Sequence, residues 1–147
     1  VADSNLIYFG SKQDTVTAIN HQDGQVLWQR VMSSEVMSIS RSFNNLIYVM
    51  TNDSKITAID ISTGKFVWIN SQIPSELSIR GSSTPIIYED KVYVGFEEGK
   101  IVSYNALNGD IIWEVQIPAI KTKTIIDLSN NEVLVLRNGN GSLELVT

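Results

Sequence analysis

An eleven-residue phrase occurs three times in this chain. It opens on Ala18-Ile19-Asn20 and closes on Gly24 and Trp28. It opens again on Ala58-Ile59-Asp60 and closes on Gly64 and Trp68. The third copy opens on Ser103-Tyr104-Asn105 and closes on Gly109 and Trp113. In each copy the Gly stands four residues before the Trp, and the Trp residues are 40 and 45 apart. Self-similarity at a period of about 40–50 residues marks propellers, solenoids and arrays, because one such unit cannot bury its apolar faces alone.

The period inside each unit is two. Leu6–Phe9, Val16–Ile19 and Gln25–Val31 alternate and are rich in β-branched and aromatic residues, so each reads as a strand. The second copy gives Leu46–Met50, Lys55–Ile59 and Lys65–Ile69; the third gives Lys91–Phe96, Lys100–Tyr104 and Asp110–Ile117. A further strand precedes these two copies, near Val36–Ser40 and Thr84–Tyr88. Turn-forming clusters separate the strands, and no helix is required. Four strands of one meander, A to D, make a propeller blade. The reading is therefore all-β: a β-propeller of two complete blades and two incomplete ones.

The repeated residues have mechanical roles. Gly24, Gly64 and Gly109 supply a positive φ in the C–D turn, and Asn20, Asp60 and Asn105 bond the turn backbone. Trp28, Trp68 and Trp113 offer a flat surface to bury against a neighbouring blade. Blade boundaries fall at about 1–31, 32–72, 73–118 and 119–147, within one partial propeller. The first blade is B–C–D with a stub of A in Val1 to Asn5. In the fourth, strand A is expected near Lys123–Asp127, B at Glu132–Leu136 and C at Ser142–Thr147. A stack of four leaves apolar flanks, so either a larger ring or self-association is expected to complete it.

Chemistry is excluded more readily than assigned. The net charge of −5 disfavours nucleic acid, whose backbone demands a basic patch. The 43% apolar content includes no run long enough for a membrane-spanning helix. There is no Cys for a disulfide, a thiolate metal site or a lipid anchor, and no two-His metal site is possible with His21 alone. His21 reads as a solvated turn residue. Asn138-Gly139-Asn140-Gly141 and Glu97-Glu98-Gly99 fall at B–C hairpins, where such residues serve turn geometry. No catalytic residue, cofactor or metal is expected. The chain starts at Val1 without a signal peptide and reads as a mature or excised segment.

Ala58 to Trp68 read A-x-D-x-x-T-G-x-x-x-W, which resembles the tryptophan-docking motif of pyrroloquinoline-quinone (PQQ) dehydrogenase propellers. A narrower likeness follows. Ser75-Glu76-Leu77-Ser78-Ile79-Arg80-Gly81-Ser82-Ser83-Thr84-Pro85, led by Pro74, resembles the inter-blade linker of the BamB family, lipoproteins of the bacterial outer-membrane β-barrel assembly machine. Ile7-Tyr8-x-Gly10-Ser11 and Gly95-x-x-x-Gly99-Lys100 extend the likeness from about Leu6 to Ile117. That resemblance implies a non-catalytic scaffold in the periplasm, attached to the outer membrane. It implies docking on the periplasmic POTRA repeats of the insertase BamA through Leu77, Ser78, Ile79 and Arg80.

Two apolar side chains two apart in extended chain point the same way, and an adjacent Arg is a forked cationic donor. The same residues also read as strand-A core with a solvated turn charge. An acidic second contact loop of the family has no counterpart in Ile120 to Asn130. Unfolded outer-membrane proteins are expected as further partners, pairing with strand edges. A fragment of a PQQ-dependent dehydrogenase and a general PQQ-repeat binding module stand as the alternatives.

Overall fold

The computed structural model describes residues 2–3, 5–72, 83–96, 99–117, 122–128, 132–137 and 143–146. Every regular element among them is a β-strand, and every pairing is antiparallel. The chain divides into two compact units, Val1–Ile73 and Pro74–Thr147.

The first unit holds two sheets. One runs β1 (Ala2–Asp3), β2 (Leu6–Gly10), β3 (Thr15–Asn20) and β4 (Val26–Val31), paired in chain order. The other runs β5 (Val36–Ile39), β6 (Leu46–Thr51), β7 (Lys55–Asp60) and β8 (Phe66–Ser71). The stub before Leu6 is thus a two-residue strand on the edge of the first sheet opposite β4. The second unit repeats the meander as β9 (Ile86–Tyr88), β10 (Lys91–Gly95), β11 (Lys100–Asn105) and β12 (Ile111–Gln116). It ends in a three-stranded sheet, β13 (Thr122–Leu128), β14 (Glu132–Arg137) and β15 (Leu143–Val146). Strands A, B and C of the fourth repeat therefore fall within a residue or two of the positions read from the sequence. Each sheet is a meander of the propeller-blade kind.

The registers explain the hydrophobic pattern. In the first sheet Tyr8 lies opposite Ala18, which lies opposite Trp28. The equivalent rows are Tyr48–Ala58–Trp68 and Tyr93–Ser103–Trp113. One face of each sheet thus carries a Tyr, a small residue and a Trp side by side. The rings are tilted against each other, with centroids 6.2, 5.7 and 5.8 Å apart. The small middle residue leaves room for the pair. Burial pushes the Tyr48 phenol up to about 12, so it stays neutral at any physiological pH.

Within the first unit the two sheets share one core. Tyr8, Val16, Ala18, Trp28 and Met32 from the first pack with Ile39, Ile47, Val49 and Ile59 from the second. The two sheets approach so closely at Gly10 that a Cβ there would collide with the Val36 side chain. Ring stacking of this kind supplies the apolar burial that an isolated meander lacks.

Candidate functional site

The C–D turn is built the same way three times. Gly24, Gly64 and Gly109 have φ of 73°, 69° and 77°, a conformation that costs little only for glycine. Each of these Gly amides donates to the carbonyl four residues back, on Asn20, Asp60 and Asn105, at 2.8–2.9 Å. The side chains of those three residues accept from the turn backbone. Asn20 Oδ1 takes the Gln22 amide, Asp60 Oδ1 the Ser62 and Thr63 amides, and Asn105 Oδ1 the Leu107 and Asn108 amides. The turn is also tied inward: the amides of His21, Ile61 and Ala106 donate to the carbonyls of Asn5, Asn45 and Asp90. A one-residue bulge follows each turn, opposite Ala18/Ile19, Ala58/Ile59 and Ser103/Tyr104. Leu27, Val67 and Ile112 are the extra residues, and all three are exposed.

The second of these turns receives Trp28 from the first sheet. The Trp28 indole N–H donates to the Ile61 carbonyl at 2.9 Å. The indole lies over Gly64 so closely that a Cβ at Gly64 would be 2.6 Å from the ring. Arg30 closes the contact. Its guanidinium donates to the Thr63 carbonyl at 2.8 Å and lies 6.0 Å from the Trp28 ring centre. So Trp28, Gly64, Ile61 and Thr63 form one latch between two sheets. The residues equivalent to Arg30 are Asn70 and Val115, and the guanidinium is a feature of the first sheet alone. Trp68 is buried and Trp113 half-buried, each beside its own sheet's Tyr.

Leu77, Ser78, Ile79 and Arg80 lie outside the described residues. The chain on either side of them is hydrogen-bonded into a sheet-bearing unit. Gln72 is buried and its amide donates to the Ser54 carbonyl at 3.1 Å, within the first unit. Ser83 is buried in the second unit. Its amide donates to the Gly95 carbonyl at 2.8 Å, and its hydroxyl accepts from the Gly95 amide at 2.9 Å. Asn138 to Gly141 and Glu97-Glu98 are also outside the described residues.

Strand D is an edge strand of each four-stranded sheet. All three edges expose apolar side chains: Val26, Leu27 and Val31 on β4; Phe66, Val67 and Ile69 on β8; Ile111, Ile112 and Val115 on β12. The β8 edge, Phe66–Ser71, carries no charged residue, which is the usual guard against pairing with another chain. Among the described residues no group of three or more His, Cys, Asp or Glu is placed to hold a metal ion. His21 is exposed in its turn. No helix among the described residues is long and apolar enough to cross a membrane.

Comparison with known proteins follows the same line. The chain is 30% identical over 130 residues to the outer membrane protein assembly factor BamB of Yersinia pestis, covering 88% of this chain and 33% of that protein. It spans about a third of that relative's length. The fold is similar to the crystal structure of BamB from Moraxella catarrhalis, with a TM-score of 0.78 at 16% identity, covering 96% of this chain and 49% of the other. A europium-containing methanol dehydrogenase is similar over 78% of this chain and 23% of its own, with a TM-score of 0.64 at 21% identity, a likeness of fold alone. Residues 1–143 match the model of the family described as outer membrane protein assembly factor BamB, and the chain is a member of that family of PQQ-repeat β-propellers.

Proposed function

We propose that this chain is a non-catalytic scaffold of outer-membrane protein assembly, acting in the periplasm at the outer membrane. Its blades, near 1–31, 32–72, 73–118 and 119–147, hold inter-blade loops in fixed positions, and one loop docks the partner. The observation that carries this is the family match across residues 1–143. The docking residues are Leu77, Ser78, Ile79 and Arg80, and the partner is the set of periplasmic POTRA repeats of a BamA-like insertase. An apolar pair with a neighbouring Arg is the composition of an interface anchor. Titration of the chain against those repeats tests the reading. Arg80→Glu is expected to weaken binding by about 2 kcal/mol or more, roughly 30-fold. Equal binding by wild type and variant, both folded by circular dichroism, would remove Arg80 from the interface.

The uncharged β8 edge suits a second role, pairing with an extended, unfolded barrel strand. Such strands alternate apolar and polar residues with period two, the period of the edge itself. Val67→Lys with Ile69→Lys is expected to reduce capture of a urea-denatured outer-membrane barrel protein at least threefold while leaving POTRA binding unchanged. Undiminished capture would rule this edge out as the pairing site.

A further inference from the structure

The residue before the closing glycine differs among the three C–D turns: it is Asp23, Thr63 or Asn108. In each copy its side chain accepts from the amide two residues on. Asp23 Oδ1 takes the Gln25 amide at 2.9 Å, Thr63 Oγ1 the Lys65 amide at 3.2 Å and Asn108 Oδ1 the Asp110 amide at 3.0 Å. The frame is common to all three. Asn108-Gly109 alone sets a carboxamide beside a following amide that no side chain shields. It is the one Asn-Gly pair among the described residues. Asn108 is exposed, whereas Gly109 is buried.

Such a pair can react with itself. The Gly109 nitrogen attacks Asn108 Cγ, so an N–Cγ bond forms and the Cγ–Nδ2 bond breaks. The side-chain nitrogen leaves as ammonia, carrying the proton of the Gly109 amide. Water then opens the cyclic imide at one of its two carbonyls. Opening at Cγ gives Asp; opening at the backbone carbonyl gives isoaspartate, with the chain rerouted through the side chain. In the folded turn the reactants are held apart from this path. The Gly109 amide donates to the Asn105 carbonyl at 2.9 Å, and its φ is fixed at 77°. Asn105 closes the turn twice more: its amide donates to the Asp110 carbonyl at 2.8 Å, and its Oδ1 accepts from the Leu107 and Asn108 amides.

We propose that Asn108 is a deamidation site gated by its own turn. It is unreactive while Gly109 is bonded to Asn105, and it is modified by the freed Gly109 nitrogen when the turn opens. The two products have different fates. Asp at this position is what the first turn already has, with the same acceptor for the amide two residues on. Isoaspartate adds one carbon to the backbone between Asn105 and Asp110. That displaces both backbone bonds that close the turn, Gly109 to Asn105 and Asn105 to Asp110. The turn then no longer recloses in its native pairing, and the modification is a lasting record of the opening. The proposal is independent of the docking loop at 77–80.

The test incubates the full chain at neutral pH, folded and fully denatured in guanidinium. Peptide mapping by mass spectrometry follows position 108 apart from the Asn-Gly pairs at Asn138 and Asn140. Conversion in the folded chain is expected to be slower by about tenfold or more. In low guanidinium it should climb in step with hydrogen exchange of the Gly109 amide, the nucleophile's own proton. Asn105→Ala removes the side-chain acceptor of the turn and leaves the reacting pair unchanged. It should speed conversion about threefold or more while circular dichroism still shows a folded chain. If that variant does not fold, the guanidinium series on the wild-type chain decides alone. Conversion as fast in the folded chain as in the denatured one, or conversion that does not follow Gly109 exchange, overturns the proposal. So does a folded Asn105→Ala chain that converts no faster than wild type. The products are compared by melting: isoaspartate at 108 should lower the midpoint by about 5 °C or more, and Asn108→Asp by no more than about 2 °C. Equal midpoints for the two overturn the record-keeping half of the proposal.

Discussion

The turns at Asn20–Gly24 and Asp60–Gly64 share a closing glycine of positive φ, its amide bond to the carbonyl four residues back and an Asx side chain that accepts from the turn backbone, yet only the second carries a neighbour's tryptophan. The turn frame is therefore the same at two places whose packing differs. What a repeat residue contributes depends on whether the adjoining sheet is there, and the two copies separate intrinsic turn geometry from inter-sheet packing.

The sharpest way to break the comparison is a charge on the shared face. Val49 has no exposed surface and sits in the core between the first two sheets. Val49→Asp puts an unpaired carboxylate there and should cost about 4 kcal/mol or more, enough to unfold the first unit. Phe9→Asp makes the same change at the equivalent exposed position and should stay within about 0.5 kcal/mol. Urea titration followed by tyrosine and tryptophan fluorescence reads both. Equal losses would mean that Phe9 is buried in solution.

A finer cut uses the glycines. Gly24→Ala places a Cβ at φ 73° in open space, which should cost about 1–2 kcal/mol from the backbone alone. Gly64→Ala bears a similar backbone cost and also drives a methyl into the Trp28 ring, for about 1–3 kcal/mol more. The difference between the two measures the seated indole. Identical costs would show that Trp28 moves aside freely.

Much of this was legible in the sequence. Period-two alternation and turn residues place the strands to within a residue or two, because register and turn chemistry are local. The aromatic partners were less visible. Tyr8, Tyr48 and Tyr93 each precede a Trp by 20 residues, a spacing printed three times, yet a Tyr in a strand reads as an ordinary β-former. The Ile61 and Thr63 acceptors are backbone carbonyls with no side-chain signature. Arg30 has no counterpart in the other copies, so repeat logic passes over it. Exposure of Phe9 was beyond reach for a different reason: alternation says which residues share a face, not whether that face is covered. Leu77 to Arg80 rest on resemblance.

The smallest effect is electrostatic, and it isolates one chemical difference between the two turns, at the residue that opens each. Where the first has Asn20, the second has Asp60. Slight burial pushes the Asp60 carboxyl up. That is outweighed by hydrogen bonds from the Thr63 amide and hydroxyl, the Ser62 amide and the Asn45 side chain, which leave it below the usual carboxylate value. A carboxylate held low in the folded state stabilises the fold above its unfolded pKa, and that contribution fades as pH falls through the lower, folded one. The group is only half-buried, so solvent screening keeps the effect small. Amide exchange at Ser62, Thr63 and Gly64 should therefore accelerate relative to Gln22, Asp23 and Gly24 as pH drops below about 4, after correction for intrinsic rates. Asp60→Asn should remove most of the acid response of the second turn, with little change at neutral pH, because Asn20 already fills the same role. If the acid response survived Asp60→Asn, the proton would be binding elsewhere. The contrast between the two turns would then rest on packing alone.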